Sequence, residues 1–164
     1  RILTIYEGTT GIQALDLIGR KVLREQGVTL LALLDDIDSA ADELTDDVAD
    51  IGMVLKAAVV EARAALSWVL EHHGDDPTVA GGVSYHFLMM LGSVVGGWQM
   101  ARAALIAKAK LDGGTADTNF YNAKIKTARF YAEQTLPRAL SHARTIQAGG
   151  ETMMSLTLDQ LRGD

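Results

Sequence analysis

Cysteine is absent from the 164 residues, proline occurs twice, and aromatic side chains make up 5%. Without cysteine there is no disulfide framework, no thiolate nucleophile and no thiolate metal site. A cysteine-free chain fits a reducing compartment, so a cytoplasmic location is expected. Two prolines, many alanines and leucines, and few β-branched runs predict an all-α fold. Excess positive charge is missing too: 15 Lys and Arg stand against 21 Asp and Glu, for a net charge of −6. A nucleic-acid binder needs a basic stripe to neutralise phosphates, so no nucleic-acid partner is expected. The opening residues lack the basic and then apolar order of a secretory signal. The chain opens at Arg1 with no methionine and reads as the tail of a longer protein.

What is present is an ordinary globular balance, with 48% hydrophobic and 22% charged residues. Residues 1–8 read as a short extended entry peptide that breaks at Gly8. Thr9 or Thr10 then caps a first helix, in which Ile12, Leu15, Ile18 or Gly19, and Val22 recur at helical spacing up to a stop at Gly27. A second helix begins at Thr29, with Leu30, Leu33, Leu34, Ile37 and Ala41 as its stripe. A third runs to about His73 on Val48, Ile51, Val54 or Leu55, Ala58, Ala62, Ala65 and Val69. Gly74-Asp75-Asp76-Pro77 is a turn. A fourth helix spans roughly Val79 to Leu111. A fifth starts at Asp117 or Thr118, and Pro137 marks a bend or a new first turn before Ala148-Gly149-Gly150. Residues 151–164 read as a polar, partly apolar tail. The expected architecture is an antiparallel bundle of four to five helices after the entry peptide.

From Pro77 to Met100 no Asp, Glu, Lys or Arg occurs. Its polar residues and glycines argue for a central bundle helix rather than a membrane span, with Gly92, Gly96 and Gly97 as close-packing positions. The residues three before His72, His73, His86 and His142 are Val69, Leu70, Val83 and Ala139. None is a carboxylate, so the Glu-x-x-His pairs of di-metal bundles are missing and no metal site is expected. The acidic residues between Asp35 and Asp50 lack EF-hand spacing and read as a solvated face. The paired glycines lack a preceding strand and a G-x-G-x-x-G pattern, so they are turns or close contacts. Glu7, a lone carboxylate before a glycine, reads in isolation as either a surface residue or a functional one.

The segment Ile5-Tyr6-Glu7-Gly8-Thr9-Thr10-Gly11-Ile12-Gln13 resembles the end of the acyl-CoA dehydrogenase catalytic region. The stretch GIQALDLIGRK, from Gly11 to Lys21, resembles the long subgroup that carries an extra C-terminal helical domain, which includes 3-methylmercaptopropionyl-CoA dehydrogenase-like enzymes. Residues 132–137 and 148–150 also fit that extra domain. The resemblance implies that residues 1–27 end the catalytic helical domain and that residues 28–164 form the extra bundle. It implies an FAD-dependent oxidoreductase acting on an acyl-CoA thioester, with Glu7 as the base that removes the α-proton. Gly8 would approach the thioester, and Thr9, Thr10, Gly11 and Gln13 would contact FAD. Many relatives carry glutamine where this chain has Gly11, so that side-chain contact is lost or replaced; Gln13 keeps the second glutamine. An electron-transfer flavoprotein or similar acceptor and a homodimer or higher oligomer are implied partners. The domains that hold most of the flavin are not in these residues, so this piece alone is expected to be inactive. The alternative is a non-catalytic helical interaction or oligomerisation module, suggested by the large apolar faces.

Overall fold

The computed structural model describes residues 9–76 and 78–163. The entry peptide, with Glu7 and Gly8, and Pro77 in the third turn lie outside the described residues. Among the described residues there is no strand, and the chain is an all-α bundle.

The first helix, α1, starts at Thr10–Leu15 with Thr9 in the capping position, although no side-chain cap bond forms there. It continues as a π-helical segment, Asp16–Val22, and closes as a 3-10 turn, Leu23–Glu25. The π segment has no residue signature that periodicity would detect, and it is rare beyond a single turn. Two left-handed residues, Gln26 and Gly27 (φ of 53° and 75°), then reverse the chain. Helix α2 follows at Val28–Asp42 and buries Leu30, Leu34, Ile37 and Ala41, four of the five stripe residues read from sequence. The fifth, Leu33, is half-buried beside the core.

Helix α3, Ala49–His72, buries Ile51, Leu55, Ala58, Ala62, Ala65 and Val69. Leu55 rather than Val54 takes the core position. Helix α4, Thr78–Asp112, is the longest. By length and composition alone it could cross a membrane. Here it packs against α1, α2, α3 and the two helices that follow it, and its buried residues run from Val79 to Ala107. That is the pattern of a central helix covered by its neighbours. Helix α5, Thr118–Gln134, is preceded by Asp117 in the capping position. Helix α6, Pro137–Gln147, begins on Pro137, where a missing N–H costs nothing. The sequence-based tail is corrected in part: residues 151–163 contain two short helices, α7 (Glu151–Met154) and α8 (Leu158–Arg162). A Thr157–Gln160 capping box starts α8.

Glycines set how closely the helices approach. A Cβ on Gly96 would sit 2.2 Å from the Tyr131 hydroxyl oxygen, so α5 can press on α4 only at a glycine. Gly97 lies against Leu136 and Leu55 in the same way. Gly92 departs from the packing role expected for it, because a Cβ there would meet nothing within 4 Å.

The acidic stretch is a largely exposed face, as its spacing predicts. Several of its carboxylates also pair with cations on other helices. Asp35 pairs with Arg63, Asp42 with Lys56 at 2.6 Å, and Asp47 with Lys108 at 3.6 Å. Arg129 of α5 donates to Asp50 at 2.5 and 3.2 Å and to the Asp47 carbonyl oxygen at 2.6 Å.

Candidate functional site

The residues that the resemblance assigns to cofactor contact fall at the first turn of α1. Thr9, Gly11 and Gln13 are exposed there, and Thr10 is half-buried. Ala14 and Ile18, just beyond, are fully buried and anchor this helix to the bundle. Gly11 has open space where a Cβ would stand. The four residues thus present two hydroxyls, one amide side chain and bare backbone on a helix held from below. Small donors around a glycine suit contact with the polar edge of a nucleotide cofactor, but this surface does not enclose one. Glu7 and Gly8, assigned from sequence to proton removal and thioester contact, lie outside the described residues.

An apolar groove lies elsewhere. A groove of about 670 Å³ opens where the π segment of α1, the start of α2 and the middle of α4 converge. Leu17, Val22, Leu33, Leu88, Leu91 and Val95 make it apolar, and Gly92 opens its α4 wall. Lys21, Glu25 and Thr29 are the polar residues of the lining. The Thr29 hydroxyl donates to the Glu25 carboxylate. Lys21 has no carboxylate within ion-pair distance among the described residues, whereas Arg20 pairs with Asp16 at 2.9 Å. Sequence reasoning missed this groove. The one available signal is Gly92 on a long apolar helix, where its spacing to Gly96 predicts a packing position instead.

The histidines divide into two kinds. His72 and His73 close α3, with their Nδ1 atoms 2.7 and 3.0 Å from the carbonyl oxygens of Trp68 and Leu70. His86 of α4 and His142 of α6 meet Nδ1 to Nδ1 at 3.0 Å and are half-buried. One of these nitrogens must donate and the other accept. Burial holds His142 below the ordinary imidazole value, and His86 and the Arg138 guanidinium push it the same way. Among the described residues, no three His, Asp or Glu side chains converge as a metal site would require.

Residues 32–157 match the family model described as acetyl-CoA dehydrogenase C-terminal like. The chain is 40% identical over 162 residues to 3-methylmercaptopropionyl-CoA dehydrogenase of Ruegeria pomeroyi, covering 96% of this chain and 27% of that protein. It is 31% identical over 166 residues to the broad-specificity linear acyl-CoA dehydrogenase FadE5 of Mycobacterium tuberculosis, again covering 27% of that protein. The chain therefore spans about a quarter of the length of these curated relatives.

Proposed function

The chain belongs to the acetyl-CoA dehydrogenase C-terminal-like family, and from that premise we propose that it is part of an FAD-dependent acyl-CoA dehydrogenase. The observation that carries the reading is the 40% identity across nearly the whole chain to a named acyl-CoA dehydrogenase, together with the Tyr6-Glu7-Gly8-Thr9 segment. The substrate class is an acyl-CoA thioester, oxidised at its α,β bond.

In this reading Glu7 is the general base. Its carboxylate takes the proton from the α-carbon, and an apolar, dehydrated setting in the complete enzyme raises its basicity. Gly8 leaves room for the thioester to approach. Thr9, Thr10, Gly11 and Gln13 orient one edge of the cofactor, whose remaining contacts come from outside this chain. When bound, FAD supplies the acceptor for the hydride that leaves the β-carbon. Residues 28–164 serve as the supporting bundle. Electrons leave for an electron-transfer flavoprotein or a similar acceptor, the enzyme works as a homo-oligomer in the cytoplasm, and the 164 residues alone do not turn over.

The test uses the full-length holoenzyme under anaerobic conditions. Addition of acyl-CoA should bleach the flavin absorbance of the wild type. Glu7→Gln should abolish bleaching while flavin content stays unchanged. Wild-type bleaching in that variant would remove Glu7 from the reaction. The second reading, a non-catalytic helical module, draws on the apolar groove; a full-length protein that purifies without flavin and gives no bleaching would favour it.

A further inference from the structure

The contact between α4 and α6 contains a polar pair that the proposed reaction does not use. We propose that His86 and His142 form a proton-operated latch, which ties α6 to α4 while the two rings share at most one added proton and releases it when each ring carries its own.

Geometry carries the proposal. The two Nδ1 atoms are 3.0 Å apart and the ring centroids 5.3 Å apart. The centroid separation is the nitrogen separation plus the two ring radii, so the nitrogens meet head-on. Rings that chelate one metal ion aim their lone pairs at a third point. These aim at each other, as an N–H···N hydrogen bond requires. In the neutral pair one ring therefore carries its hydrogen on Nδ1 and the other on Nε2. A first added proton goes to the bare Nε2 of the donor ring, which keeps the bond and strengthens it. A second must go to the accepting Nδ1. Two N–H groups and two like charges then face each other in a half-buried contact. The rings titrate as one unit in two steps, and the second step opposes packing. His72 and His73 have no such limit, because their Nδ1 atoms face carbonyl oxygens, which accept from a charged ring as from a neutral one.

The surroundings give a second charge no relief. Among the described residues no carboxylate of α3, α4, α5 or α6 bonds to or pairs with either ring. Arg138, one turn before His142, adds a like charge, and Tyr85 meets His86 edge-on. The rest of α6 is held by modest bulk. Its buried residues are Ala139, Ala143 and Ile146. The segment after it rests on α4 through glycines, with the Gly150 Cα 3.2 Å from where a Gly82 Cβ would stand. Loss of one contact therefore shifts a local opening of α6 rather than the whole bundle. Protons bind the released helix more readily than the docked one. Docking is complete above the ordinary imidazole value of 6.5 and weakens as pH falls below it.

Hydrogen exchange of the full-length holoenzyme, read by mass spectrometry, tests the latch. Labelling is done about one unit above and about one unit below the imidazole value, with times scaled to the intrinsic exchange rate. Protection of peptides from residues 137–147 should fall by roughly three- to tenfold at the lower pH, while peptides from α2 keep theirs. His142→Asn keeps an amide opposite His86 and does not titrate in this range. It and the mirror variant His86→Asn should each abolish the fall. Each variant is compared with its own protection at the higher pH, so a fixed loss of packing does not mimic the response. Equal wild-type protection of residues 137–147 at both pH values would overturn the proposal. A fall of wild-type size in either variant would also overturn it, by assigning the opening to other groups. An equal fall in α2 would overturn it in favour of global acid unfolding.

Discussion

At the scale of single residues, the bundle depends on a few contacts that tolerate no addition. A Cβ on Gly96 would fall 2.2 Å from Tyr131 Oη and 2.9 Å from Cζ. Tyr131 cannot retreat freely, because its hydroxyl donates to the Ser93 carbonyl oxygen at 3.2 Å and its ring packs on the core. Gly96→Ala should cost about 1–3 kcal/mol, the usual penalty of overpacking, measured by urea unfolding. Adding Tyr131→Phe should return part of that cost by removing the closest atom. The His86–His142 contact makes a second prediction. The folded state holds His142 below its ordinary value of 6.5, so the unfolded chain binds its proton more readily. Stability is therefore full above 6.5 and falls as pH drops below it. Urea midpoints measured from neutral to mildly acidic pH should show that decline, and His142→Phe should flatten it. An equal decline in the variant would assign the effect to other groups, the carboxylates first.

At the scale of elements, helices α2 to α6 were legible because each carries a long 3.6-residue apolar stripe between glycine, proline or aspartate breaks. Thr78–Asp112 and Pro137–Gln147 begin within a residue or two of where those signals put them. The π segment of α1 was not legible, since its wider hydrogen-bonding leaves the apolar spacing nearly unchanged. The ion pairs of the acidic stretch were not legible either. Arg129 meets Asp50 from 79 positions away, and only the packed fold brings them together. The Arg129 guanidinium beside Asp50 holds that carboxyl below the usual range, mainly through its hydrogen bond. Both side chains are about a third exposed or more, so Arg129→Ala should cost no more than about 1 kcal/mol, with a smaller difference at high salt. The crossing of α2 and α3 is stiffer. A Cβ on Gly52 would sit 2.7 Å from the Ala41 carbonyl oxygen, and backbone cannot turn aside. Gly52→Ala should therefore destabilise by about 1–3 kcal/mol or shift the α2–α3 crossing, seen as altered near-UV dichroism.

At the scale of the whole molecule, fold and chemistry became legible by different routes. The bundle follows from periodicity and burial. The chemistry rests on nine residues, Ile5 to Gln13, whose meaning came from resemblance, since one carboxylate before a glycine has no geometric signature of its own. The candidate cofactor contacts at Thr9, Gly11 and Gln13 are exposed. The groove between α1, α2 and α4 belongs to no motif, because it exists only where three helices meet. All of these features suit a piece that completes a larger enzyme. The central claim is that Glu7 takes the α-proton, and hydrogen exchange reads that step directly. Full-length holoenzyme in D2O, incubated with acyl-CoA, should introduce deuterium at the α-carbon, seen as a mass increase in recovered substrate. Glu7→Gln with its flavin retained should introduce none. Exchange at the wild-type rate in that variant would contradict the account.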